Sequence, residues 1–352
     1  MHLDRYDALL TELHAFAPLY PQRGRSLANH APMVLDALFA VGADARAEAW
    51  LARSTPYLKK LPRGNVLGLR ERMGALGDAE RTADWITTFQ VELDEQGVER
   101  TLRVALPLLA PGALAASFHG VLRTAHALRA LSRGESPVRL TELAHGLGSW
   151  AAGHQLLPGL ERPTSLAEDR LPVAEWLAQI PLLPGADRRE GLLHEIVHPL
   201  AEHAAWRAHV ARLGAVSTSE TALHRVAAWS AQRLVLDPQG INGHLHGVTV
   251  TSSLAWFVPW VDRDQLGQLT RLVVLALGAV HAASASDGVR ECIDGDSLTP
   301  EELLEAALVS EDDHALKLVE AVLRIQAAGE VDPCLRRGAE LWIRRARARR
   351  AA

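Results

Sequence analysis

Cysteine is almost missing from these 352 residues: Cys292 and Cys334 are the only two, too few for a disulfide framework or a thiolate zinc site. Phenylalanine and tyrosine are scarce as well, at five and three, and aromatic residues make up 5% of the chain. An excess of one charge is lacking: 37 Lys and Arg against 42 Asp and Glu leave a net charge of -5, so no basic field recommends nucleic acid as a partner. The basic run from Arg344 to Arg350 reads as a solvated helix end. No uninterrupted apolar window of about 18 residues occurs, which argues against a membrane span. The opening Met1-His2-Leu3-Asp4-Arg5 lacks the basic-then-apolar order of a signal peptide, and the chain reads as cytoplasmic. Dinucleotide fingerprint, P-loop and nucleophile elbow are all missing. With 48% hydrophobic and 22% charged residues, disorder is excluded.

Strand patterning is equally rare. Ala, Leu, Arg and Glu dominate, and apolar residues recur at steps of three and four nearly throughout, which predicts an all-α, multi-helix bundle. Helices are expected over 3–16, 32–41, 44–53, 79–93, 99–110, 113–132, 139–152 and 166–179. Others are expected over 187–213, 217–235, 246–257, 264–285, 300–309, 312–327 and 333–349. Val248-Thr249-Val250-Thr251 looks strand-like but is too short and isolated to build a sheet, so it reads as helix. The chain is taken as a single domain, 1–352, in which the proline-rich stretch 153–186 is an internal linker or long surface loop.

What is abundant is histidine, with sixteen residues. Imidazole is the commonest metal ligand and the usual acid or base near neutrality. His30, His119, His126, His246 and His281 stand singly on apolar helices, where each is either a hydrogen-bonded core residue or a ligand of a shared metal. Phe118-His119-Gly120-Val121 is echoed by Leu245-His246-Gly247-Val248, and Thr124 and Thr251 stand five residues after each His. In Asp312-Asp313-His314-Ala315-Leu316-Lys317, His314 and Lys317 share a helix face. That face is either a solvated stripe with Glu311, Asp312, Asp313 and Glu320, or a buried one. A buried Lys317 has a lowered pKa, and a neutral amine takes up carbon dioxide as a carbamate, an anionic oxygen ligand. His194-Glu195-Ile196-Val197-His198 matches H-E-x-x-H formally, the zinc-hydrolase alternative, but Pro199 disfavours a helix at His198 and no third ligand is signalled. The nine tryptophans read mostly as core, although Trp256 and Trp260 are placed to wall an aromatic pocket.

Four of these segments together resemble the questin oxidase-like family. They are Asn29-His30-Ala31-Pro32-Met33 with the following Leu35-Asp36-Ala37-Leu38, Phe118 to Ala127, His246-Gly247-Val248-Thr249, and Asp313-His314-Ala315-Leu316-Lys317. They occur in the family's order and span nearly the whole chain. The resemblance implies a helical bundle with a buried central cavity, and an oxygenase of secondary metabolism that opens aromatic polyketide rings in a Baeyer–Villiger type step on a ketone or quinone. It implies Fe(II) held by His30, His119, His246 and His314 with a carboxylated Lys317, dioxygen as co-substrate, and NADPH as an outside reductant. His126 and His281 are reserve ligands and, with Trp256 and Trp260, candidates for the substrate pocket. Asp313 either orients a ligand imidazole or sits in solvent. A non-catalytic binding protein of the same fold is the other alternative, and the sequence fixes neither substrate nor oligomeric state.

Overall fold

The computed structural model describes residues 2–22, 25–160, 168–236, 241–285 and 297–351; Cys292 and residues 161–167 of the proline-rich stretch lie outside them. Among the described residues are sixteen α-helices and one two-stranded sheet, so the protein is an all-α, multi-helix bundle. In chain order the first helices are α1 (His2–Leu13), α2 (Ala31–Ala40), α3 (Ala47–Ser54), α4 (Leu69–Ala75), α5 (Thr82–Leu109), α6 (His119–Ser132), α7 (Pro137–Ala152) and α8 (Val173–Ala178). The remainder are α9 (Leu193–Ile196), α10 (Ala204–Ala211), α11 (Glu220–Leu236), α12 (Ile241–Ser253), α13 (Arg263–Ser284), α14 (Pro300–Ser310), α15 (Asp313–Ala327) and α16 (Pro333–Ala351). Strands β1 (Leu19–Gln22) and β2 (Arg25–Ala28) pair antiparallel in a hairpin that the helical pattern does not foretell.

Several local readings hold and others need correction. Val248–Thr251 lies in mid-α12, as helix. Gly97, at φ 77°, breaks α5 in the gap expected between its two halves. The helix expected from 113 begins only at His119, because Ala116, Ser117 and Phe118 take left-handed conformations, with φ of 46°, 61° and 70°. The expected helix 187–213 is broken into α9, a 3-10 turn at His198–Ala201 that carries Pro199, and α10. From the proline-rich stretch, α8 docks on α10: the fully buried Trp176 stacks on His209 at 4.7 Å and donates its indole N–H to the His209 carbonyl at 2.8 Å. Helix α13 is long and apolar enough to cross a membrane by composition alone, but 83% of its most apolar stretch is buried within the protein.

Close packing is bought by glycine where helices touch. A Cβ at Gly120 of α6 would lie 2.7 Å from the Trp150 side chain of α7, and one at Gly148 would lie 2.6 Å from Ile86 of α5. Four helices matter most: α2 contacts α6, α6 contacts α12, α12 contacts α15, and α15 returns to α2. This closed ring sits where three hydrophobic clusters meet. Within it, buried charges tie three of the helices together. Asp36 of α2 accepts hydrogen bonds from His126 Nδ1 (2.7 Å) and Arg129 Nε (2.7 Å) of α6 and also contacts Arg133. Arg129 donates in turn to Glu320 of α15 at 2.6 Å.

Burial pushes the carboxyls of Asp36 and Glu320 upward, but Arg129 together with His126 and Arg133 for Asp36, and with Arg324 and His126 for Glu320, outweighs it and holds both below the usual range. Glu142 behaves alike: burial raises it, and Arg123, bonded at 2.7 and 2.9 Å, together with His14 at 3.1 Å more than offsets this. A carboxyl depressed in the folded state stabilises the protein above its unfolded pKa and ceases to do so as pH falls through the folded one. Buried imidazoles whose pKa burial lowers act in the same direction, so chemical denaturation should show stability declining as pH falls, first below about pH 6.5 and further below about pH 5 as the carboxyls protonate. At pH 7, Arg129→Met should cost about 3–5 kcal/mol, because two buried carboxylates lose their shared partner. A loss within experimental error would show the network to be dispensable.

Candidate metal centre

Each candidate ligand is set by how its helix begins. His30 is the N-cap residue of α2; the buried Asn29 starts that helix by accepting the Ala31 N–H at 3.0 Å, and Pro32 pre-sets its first turn. His119 opens α6 directly after the three left-handed residues, and that backbone brings the Ala116 carbonyl to 2.6 Å from His119 Nδ1. Nδ1 therefore carries the proton and donates it to the carbonyl, leaving Nε2 as the ligand atom. His314 lies in the first turn of α15, whose cap Asp312 accepts the Ala315 N–H at 2.8 Å. Lys317 follows one turn on. His246 is buried in the second turn of α12, where Gly247 lets α11 approach: a Cβ there would lie 2.4 Å from Ser230 Oγ.

The structure brings all five predicted residues of the centre into one region. The ring centres of His30 and His314 are 4.5 Å apart, those of His30 and His119 4.7 Å, His119 and His246 4.9 Å, and His246 and His314 5.2 Å. One nitrogen each from His30, His119 and His314 lies within 4.8 Å of the others. Ligand nitrogens on opposite sides of a single ion stand about 4 Å apart, so small side-chain rotations suffice to close them on one cation. Among the described residues, His119 Nε2 and Lys317 Nζ are buried with no hydrogen-bond partner, which fits that purpose. Such orphaned groups cost about 1–3 kcal/mol each unless something else satisfies them.

Electrostatics keep the imidazoles in the ligand form. Burial lowers His30, His119 and His314, and the neighbouring Lys317 lowers all three further; fellow imidazoles add to this for His119 and His314, while Asp313 pulls His30 part of the way back. Three of the rings lie at helix N-termini, whose partial positive charge also opposes protonation. Burial brings Lys317 down from 10.5 to about 8, against the pull of Asp313 and Asp312. Roughly a tenth of the amine is then neutral at pH 7.

Lys317 is 4% exposed and Glu320 5%, so the solvated-stripe reading of this face is corrected. The acids that made the stripe look solvated are bound: Asp312 accepts the Trp342 indole N–H and Asp313 that of Trp50, both at 2.8 Å. Asp313 is no solvent residue, since its Oδ2 lies 3.5 Å from His30 Nδ1 and steers the ring from behind. Trp342 backs His314 edge-on, with ring centres 5.6 Å apart.

The remaining candidates lie elsewhere. His126 is taken by Asp36, and Trp256 packs over it, sandwiched by Arg129 at 4.0 Å and Arg324 at 4.5 Å. Trp260 reaches Ser132 at 3.3 Å, and His281 packs on Trp229 and His244. None of the four lines the cavity beside the cluster, which corrects their assignment to the substrate pocket. That cavity, about 250 Å³, is walled by Tyr20, Leu27 and Ala28 of the hairpin, Ala116 and Ser117, and Leu192, Leu193 and His194, with the four imidazoles at its floor. Its walls lie outside the helical motifs, which is why sequence reasoning missed them. The H-E-x-x-H stretch does not act as a unit. Glu195 caps its own helix by accepting the Leu192 N–H at 2.7 Å, and His198 falls in the 3-10 turn against Gln155. The one-face presentation that a zinc hydrolase needs is lost.

Compared with known proteins, the chain matches no family model and no curated protein.

Proposed function

We propose that the protein is an iron-dependent oxygenase acting on an aromatic ketone or quinone, as its resemblance to the questin oxidase-like family implies. The observation that carries this reading is the convergence of His30, His119, His246 and His314 with a partnerless buried amine at the floor of one cavity. Neutral nitrogens with one anionic oxygen suit a first-row transition metal better than magnesium or calcium. Iron held there supplies the one-electron chemistry that ground-state dioxygen requires and that side chains lack.

The protein's own part is positioning. His119 is fixed by the Ala116 carbonyl and His30 by Asp313, so each presents one defined nitrogen. The neutral form of Lys317 adds carbon dioxide at Nζ, releasing one proton, and so provides the anionic oxygen. Leu27, Ala28, Leu192 and Leu193 offer apolar walls against a flat ring and keep bulk water from the floor. The sequence has no motif for holding a nicotinamide, so reducing equivalents arrive from outside.

Elemental analysis of protein purified without added metal should find near-stoichiometric iron, and aromatic ketones or quinones should provoke iron-dependent oxygen uptake. Folded, metal-free protein with full oxygenase activity would overturn the proposal.

A further inference from the structure

The histidine that fails as a zinc ligand stands in the wall of the four-imidazole cavity. Among the described residues, His194 Nδ1 is buried with no hydrogen-bond partner. Two other polar side chains share that wall, Tyr20 from β1 and Ser117 from the left-handed turn. Among the described residues, neither the Tyr20 hydroxyl nor the Ser117 hydroxyl makes a hydrogen bond to protein. The rest of the wall is aliphatic, chiefly Leu27, Leu192 and Leu193. Polar side chains in the wall of a largely apolar cavity that bond no protein group are available to orient a ligand, and a ligand lacking the matching group leaves them unpaired when it excludes water.

We infer that His194, with Tyr20 and Ser117, reads a hydroxyl group on an aromatic ring bound above the metal-ligand floor, and so sets which ring enters and which edge points downward. The inference rests on the oxygenase reading for the meaning of "downward", but its recognition step needs no metal. It also gives the left-handed conformation of Ser117 a use: the same turn places Ser117 in the cavity wall and the Ala116 carbonyl against His119 Nδ1. A site built around a ligand hydroxyl discriminates against the analogue lacking it, since the buried polar groups are then left unpaired.

The test uses full-length protein as purified and two probes that differ by one hydroxyl, para-hydroxyacetophenone and acetophenone, with binding measured by equilibrium dialysis and metal content by elemental analysis. Wild-type protein should prefer the hydroxylated probe about tenfold, the equivalent of roughly 1.4 kcal/mol. His194→Phe should abolish most of that preference while leaving metal content and acetophenone binding in place. Tyr20→Phe and Ser117→Ala, which remove little more than a hydroxyl, should each reduce it about threefold, within the range of a single hydrogen bond, and they keep the test valid if His194→Phe does not fold. Metal-loaded wild-type protein with no preference, or a preference unchanged in all three variants, overturns the inference. Wild-type protein that proves metal-free as purified counts against the iron reading alone, and its preference between the two probes then supports or overturns the recogniser in the same way.

Discussion

Protein carrying His119→Ala should emerge from purification nearly metal-free, with affinity for the ion reduced by at least about a hundredfold, and yet remain folded. The lower bound follows from outer-shell losses, which alone cost roughly 10- to 100-fold; a lost ligand must cost more. The fold should tolerate the change because, among the described residues, His119 Nε2 has no hydrogen-bond partner to lose, although the ring's contacts with His30 and His246 and the bond to the Ala116 carbonyl go with it. Its truncation removes one unsatisfied group but also strands the Ala116 carbonyl and opens a cavity, so thermal stability without metal should fall modestly while the protein stays folded. His246→Ala should strip the ion in the same way. His281→Ala is the control: its ring packs on Trp229 and His244, away from the cluster, and metal content should be unchanged. Asp313→Asn should fall between, weakening retention about 10- to 100-fold, because it disturbs only the orientation of His30. Competition against a chelator ranks all four variants, and a flat ranking would remove the centre.

Apolar periodicity carried the helical architecture, whereas the members of this cluster came from the family resemblance, and helix-start residues explain where two of them lie. Asn29, Pro32 and Asp312 are helix-start signals, and a histidine beside such a signal lands at a helix end whose position the neighbouring apolar pattern already fixes. What the sequence could not carry was pairing at long range. His126 looked like a ligand because Asp36, ninety residues earlier, is not visible as its partner from local spacing. Lys317 looked solvated because Asp312, Asp313 and Glu320 flank it on the helix, whereas two indoles and two arginines take up those charges in the fold. The left-handed turn at Ala116-Ser117-Phe118 had no local signal at all, since none of these residue types favours that conformation. Tertiary packing imposes it, and the Tyr20 hairpin and His194 complete a cavity that no periodicity describes.

Lys317 provides the sharpest test, because replacing it by methionine should move stability and metal binding in opposite directions. Its Nζ is buried without a partner, and burial holds its pKa near about 8 instead of 10.5. In metal-free protein below pH 8, that difference amounts to a penalty of about 3 kcal/mol, which a side chain of similar volume and no charge avoids. Metal-free Lys317→Met should therefore be more stable than metal-free wild type at pH 7 by about that order. The sign with pH follows from proton binding. Between the folded and unfolded values, the unfolded chain holds a proton that the folded chain has released, so wild-type stability rises with pH through that window. The advantage of the variant should be constant below about pH 8, shrink above it and vanish near pH 10.5. Metal retention should fall at least about tenfold in the same variant, and wild-type loading, unlike the variant's, should depend on dissolved carbon dioxide. A structural lysine gives the reverse pattern: the variant loses stability, keeps its metal and ignores carbon dioxide. Urea denaturation across pH, run beside metal analysis with and without bicarbonate, separates the two, and unchanged metal content would exclude Lys317 from the centre.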